Sequence, residues 1–166
     1  MPVSSGIDGQ ALIDRVTRAV SGRDRQAIAA LVTHDVHYED PFSATPYRGV
    51  ESVTDHVAKL WAAFPDARIE ATGPCLHDGD RIVALPLRLF GNHSGALGTL
   101  PATDRFLNQH GMLVCELDAT AHRIFRVRLF ADRYAAAVQL GALPQSGTVG
   151  DRALRAIQGF GILRGR

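Results

Sequence analysis

The chain predicts an α+β fold in which helices pack inside a curved, mainly antiparallel sheet, and two observations carry that prediction. Apolar residues recur at helical spacing as far as Phe64, and beyond Pro65 the sequence changes to extended runs of alternating side chains. Its 166 residues, set against the roughly 150 typical of one domain, make a single domain with a single core.

Ile7, Ala11, Leu12, Val16, Ala19 and Val20 share one helix face, and Gly22 is a natural stop. Asp24 can cap a second, shorter helix carrying Ile28, Ala29, Leu31 and Val32. His34 to Asp40 reads as a short strand, and the proline-containing PFSATPYRG then forces irregular backbone. Val53, Val57, Leu60, Trp61 and Phe64 mark a third helix that Pro65 ends. Extended runs follow at 67–77, 81–93, 105–117 and 123–130, with Asp78-Gly79-Asp80 as a hairpin turn. Val83, Leu85, Leu87 and Leu89 give one strand a wholly apolar face, with Arg88 on the other. A short helix over 133–140 closes the domain. The expected division is a domain of residues 1–144 and a C-terminal extension, 145–166. Leu154, Ile157 and Phe160 of that extension are expected to form a helical stripe that packs on the body or on a partner subunit.

Charge and motifs narrow the function. Eighteen basic and 17 acidic residues leave a net charge of +1, too small a field to neutralise a phosphate backbone, so no nucleic acid partner is expected. The start lacks a basic region followed by an apolar run, and no stretch reaches the ~18 apolar residues of a membrane span. A cytoplasmic protein without membrane association is expected, with Cys75 and Cys115 as reduced thiols. Phosphate loops, nucleotide fingerprints and a nucleophile elbow are missing from the sequence, so no cofactor is expected. His34, His37, Glu39 and Asp40 cluster, but alternation sends His37 and Glu39 one way and His34, Tyr38 and Asp40 the other. No metal site is expected from them.

Tyr38-Glu39-Asp40-Pro41-Phe42, followed by Pro46 and Gly49, resembles the V-E-D-P-F…P…G segment of bacterial ketosteroid isomerases, and Leu85-Pro86-Leu87-Arg88 falls where those enzymes have a similar strand. Trp61 to Asp66, Asn92-His93-Ser94-Gly95, Asp132-Arg133 and Gln139-Leu140-Gly141 are similar to the SnoaL-like polyketide cyclases of the same nuclear transport factor-like superfamily. The resemblance runs from about Gly6 to Leu143. It implies a cone with one apolar pocket, a small hydrophobic ligand, and a homodimer formed through the sheet. Phe106, Met112 and Val114 on the opposite strand face agree with such an interface.

By the same resemblance Asp40 is the general base of a proton transfer beside a carbonyl, pointing into an enclosed apolar cavity with its pKa raised by desolvation. The other reading of Asp40 is a cap on the turn before Pro41. The isomerases' two oxyanion donors are replaced here by Val16 and Leu113, so turnover of 3-oxo-Δ5 steroids is not expected. If Leu113 and Leu87 face the cone, alternation brings Gln109 and His93 with them. His93 is the candidate catalytic donor beside Asp40. Tyr38, His56, Trp61, Leu87, Gln109 and Leu113 are the candidate substrate-binding residues; for His93, Gln109 and His56 the alternative is a solvated rim residue or a satisfied core polar. Three functional readings follow: a cofactor-free isomerase, cyclase or hydrolase on a polyketide-like or polycyclic carbonyl compound, a non-catalytic carrier of such a molecule, and a structural dimer.

Overall fold

The first apolar stripe forms α1 (Gly9–Ser21), which buries Leu12, Ile13 and Ala19 in the computed structural model. The structure describes residues 9–78, 81–120 and 123–159, so Ile7, Gly79, Asp80 and Phe160 lie outside the described residues. The Asp24 carboxylate accepts the Ala27 N–H at 2.8 Å and starts α2 (Arg25–Leu31). From there the chain passes directly into β1 (Val32–Glu39), two residues earlier than expected, because Val32 pairs with Ile124. In the segment expected to be irregular, β2 (Tyr47–Arg48) pairs antiparallel with β1, setting Tyr47 opposite Tyr38. Gly49 then turns the chain at φ 81°, a conformation that favours glycine, with its N–H on the Val36 carbonyl at 2.8 Å. This turn launches α3 (Val50–Ala63), whose buried Val53 and Trp61 lie on the predicted face.

The expected run over 67–77 is two strands, β3 (Arg68–Ala71) and β4 (Leu76–Asp78), with Gly73-Pro74 between them. Proline has no N–H to give a ladder, which accounts for the break. Next come β5 (Ile82–Asn92), β6 (Phe106–Leu117) and β7 (Ile124–Ala131), followed by α4 (Arg133–Gln139) and α5 (Val149–Ile157). The sheet runs β2-β1-β7-β6-β5-β3, with β4 also on β5. All pairs are antiparallel except β1 with β7, so the sheet is mixed and unclosed. Five helices with this sheet make the α+β, cone-like architecture that the sequence predicts.

Registers Leu85↔Leu113, Leu87↔Gly111 and Leu89↔Gln109 put the odd-numbered residues of β5 and β6 on one face, where most of them are buried. This concave face carries two apolar clusters. One gathers Leu12, Ile28, Val36, Val53, Trp61 and Val127 under the first three helices. The other gathers Ala63, Phe64, Leu107, Ala136 and Leu140 between the end of α3 and α4. Burying a side chain such as Phe64 or Leu107 stabilises the fold by roughly 1.5–3 kcal/mol.

Thr148 caps α5, accepting the Asp151 N–H, yet the helix forms no extensive contact with any other element, and Ile157 is 84% exposed. Leu154 is half-buried, and Phe160, the third residue of the expected stripe, lies outside the described residues. Hydrogen bonds within the segment, including Gly147 N–H to Asp151 at 2.9 Å, hold the helix by local capping instead.

Candidate active site

Asp40 follows the last residue of β1, and its side chain is only 2% exposed. Four donors lie within 3.2 Å of its two oxygens, and the Tyr38 phenol also hydrogen-bonds to the carboxylate. Oδ1 accepts the N–H groups of Phe42 at 2.7 Å and Ser43 at 2.8 Å, an Asx turn through Pro41. Oδ2 lies 2.8 Å from His56 Nε2 and accepts the Ser43 hydroxyl at 3.2 Å. Burial alone would raise the Asp40 pKa, but the hydrogen bonds from His56, Phe42 and Ser43 outweigh it, and the carboxyl is held below its ordinary value. This corrects the expectation of a raised pKa in an apolar cavity. The carboxylate is enclosed, but its immediate partners are polar.

His56 reaches Asp40 from α3. The imidazole stacks on the Tyr47 ring at 4.2 Å and 26°, and the Tyr38 ring tilts against the same imidazole at 5.3 Å. Burial first, and then the adjacent Asp40 charge, raise the Tyr38 pKa, so its phenol stays protonated. Sequence reasoning placed Tyr38 and Asp40 on one strand face but missed Tyr47 and Ser43. Serine three residues after Asp40 was the available signal, since an aspartate turn collects just such a donor.

The other candidates lie elsewhere on the concave face. Leu87 packs with Ile13 and Leu85, and half-buried Leu113 borders both this group and the cluster that Tyr38 and Tyr47 join. Val16 also packs against that cluster, so neither position of the missing oxyanion pair supplies a donor. Trp61 donates its indole N–H to the Val20 carbonyl at 2.9 Å and sits in the core, where it braces α3 on α1.

Gln109 lies four residues along β6 from Leu113, roughly 13 Å at the usual ~3.3 Å per residue. His93 is farther still, its N–H on the Arg105 carbonyl at 2.9 Å. The structure therefore does not bring His93 beside Asp40: alternation fixes the face of a residue, not its position along the strand. The His93 ring is 0% exposed and tilts against Phe64 at 5.0 Å. Thr103 directs its N–H toward Nδ1 at 3.3 Å, with its hydroxyl 3.0 Å away. That leaves the proton of the neutral ring on Nε2, which is buried with no partner among the described residues, as is Gln109 Oε1. Desolvation lowers the His93 pKa, so the ring is neutral.

Two surface depressions of about 390 and 450 Å³ open outside this region, one lined by Pro65, Asp66, Asn92, Ser94 and Asp104 and the other beside Arg23, Phe90 and Phe106. Neither has Asp40 in its lining. No group of three or more metal-ligating side chains converges among the described residues, and none of their helices is long and apolar enough to cross a membrane.

The cone-like α+β fold is shared with solved structures described as cyclase-like and as having a ketosteroid isomerase-like fold. Residues 10–140 match the family model of the SnoaL-like polyketide cyclases, and the chain belongs to that family. A proposed SnoaL-like polyketide cyclase from Jannaschia superposes with a TM-score of 0.74 at 18% identity, covering 87% of this chain and 99% of that one. AclR, a proposed hydroxylase from Streptomyces galilaeus, gives 0.72 at 18% identity over 93% and 94% of the two chains. A proposed polyketide cyclase from Acidithiobacillus ferrooxidans gives 0.68 at 24% identity over 86% and 99%. These likenesses show the fold. No curated protein matches the chain.

Proposed function

We propose that the protein is a cofactor-free proton-transfer enzyme of the cyclase type, acting on a small hydrophobic, polyketide-like carbonyl compound at the Asp40–His56 pair. The observation that carries this reading is the 2.8 Å contact between a nearly inaccessible carboxylate and an imidazole that is 22% exposed. Such a pair can take a proton from the carbon next to a carbonyl and return it, forming the enolate that ring closure requires. Family membership supports a polyketide-like substrate, and half-buried Leu113 is an apolar residue that suits it. Val16 and Leu113 argue against a steroid isomerase, because a dienolate would lack its donors there.

Deuterium uptake into 2-tetralone, a bicyclic ketone with acidic protons beside its carbonyl, tests the reading by NMR in D₂O. Uptake well above the buffer rate supports it, and uptake at the buffer rate contradicts it.

The working form we propose is a homodimer joined through the outer sheet face. Phe106 and Phe130 are 53% and 56% exposed there, and the same face carries the ion pairs Arg88–Glu70 and Arg128–Glu116. Both charge signs on one face suit a two-fold contact, in which the same surface meets itself. Light scattering at micromolar concentration should give twice the chain mass. The free thiols of Cys75 and Cys115 suit a reducing cytoplasm.

A further inference from the structure

Within the proton-transfer reading above, on which this inference rests, we infer that His56 is the group that exchanges the proton with substrate, through Nδ1, and that Asp40 is a positioning residue. The assignment follows from which lone pairs remain free. A carboxylate offers about four acceptor sites, and Asp40 has given them to Phe42 N–H, Ser43 N–H, the Ser43 hydroxyl and His56 Nε2. With its side chain 2% exposed, Asp40 has no oxygen to offer a substrate hydrogen without first breaking the turn that holds it.

His56 is built the other way. Its Nε2 is committed to Asp40, which places the ring proton on Nε2 and leaves a lone pair on Nδ1. Nδ1 has no hydrogen-bond partner among the described residues and is not among their buried unpartnered atoms, so it is open to a ligand. The ring plane is fixed by Tyr47 on one side and Tyr38 nearby, which leaves little rotation for the lone pair to lose. Asp40, Tyr38 and Tyr47 are the titratable groups that face the imidazole from β1 and β2.

The step balances without a co-reactant. The C–H bond beside the carbonyl breaks, its proton goes to Nδ1, and its electron pair becomes the enolate, with the negative charge on the carbonyl oxygen. The imidazolium so formed is stabilised by the Asp40 carboxylate across Nε2. The same proton, or one from D₂O, then returns to carbon.

The test combines 2-tetralone exchange with ¹⁵N NMR of histidine-labelled full-length protein, the His56 signal being assigned by its loss in His56→Gln. Exchange by His56→Gln is expected to fall ~100-fold or more. His56→Ala with added imidazole is expected to recover much of the rate, which a merely structural histidine would not allow. Asp40→Asn should keep a smaller part of the activity and move the His56 ring proton off a pure Nε2 state. His56→Gln exchanging at the wild-type rate while Asp40→Asn is dead would make Asp40 the base and overturn the inference but not the proton-transfer reading. A wild-type His56 with its neutral proton on Nδ1 overturns it independently of any activity. A wild-type protein that exchanges no deuterium removes the parent reading, and this inference with it.

Discussion

At one end of the concave face Asp40 has four donors within 3.2 Å of its two oxygens; toward the other, His93 and Gln109 each keep a buried polar atom with no partner among the described residues. Both regions hide polar side chains, but a saturated charge fixes the geometry of its partners, whereas an unsatisfied atom costs stability and fixes nothing. The first arrangement turns a buried carboxylate into a rigid holder for His56. In the second, His93 is held by Thr103 at Nδ1 and by packing against Phe64, while its Nε2 fixes no neighbour. A polar residue on the right face is therefore not yet a site. What matters is whether its remaining lone pairs and protons are committed.

The largest effect should come from dismantling the apolar support of the His93 end. Phe64 is almost wholly buried, and Phe64→Ala is expected to cost about 3–5 kcal/mol in urea unfolding. A loss under ~1 kcal/mol would mean that this end is not packed as a core.

Asp40→Ala should come next. It strands two backbone N–H groups, the Ser43 hydroxyl and His56 Nε2, for an expected loss of about 2–4 kcal/mol by the same measurement. Asp40→Asn keeps an oxygen for the backbone donors and should lose about half as much. Equal losses in the two variants would show that the backbone donors do not depend on Oδ1.

The two ends should also separate by pH. The folded protein keeps His93 neutral below its ordinary 6.5, while the unfolded chain takes up a proton there, so this residue's contribution is lost as pH falls from about 6.5. Asp40 is held ionised below its ordinary 3.8, and its contribution goes only under that pH. Thermal melts between about pH 4 and 7 should show a stability slope in the wild type that His93→Leu flattens. An unchanged slope would assign the acid sensitivity to other histidines.

The smallest effect is expected from that same variant at neutral pH. Replacing the buried Nε2–H with an apolar group removes an unmet donor, and Thr103 N–H retains the His93 carbonyl at 3.2 Å. His93→Leu should therefore stay within ~1 kcal/mol of wild type. A larger loss would show that Nε2 has a partner that folding needs.

Much of the fold was legible because a helix and a half-buried strand write their faces into the chain. The spacing of Val53, Val57 and Trp61 marked α3, and the alternation of Val83, Leu85 and Leu87 marked the inner face of β5. Tyr47 was missed because a two-residue strand has no period of its own, and its pairing with Tyr38 alone defines it. The separation of His93 from Asp40 was missed because alternation repeats every second residue and carries no distance along the strand.

By itself, then, the sequence determined the α+β class, the inner faces of the sheet, the family segment around Asp40, and the placing of Tyr38 with Asp40 on one side of β1. All of these are local, set by spacing and side-chain type. Tertiary structure alone decided that α3 lays His56 on Asp40, that the pKa of Asp40 is lowered rather than raised, that His93 sits among apolar neighbours, and that α5 stands clear of the body. The reason is physical: a side chain's proton affinity and its free lone pairs depend on which donors surround it, and those donors come from elements far apart in the chain.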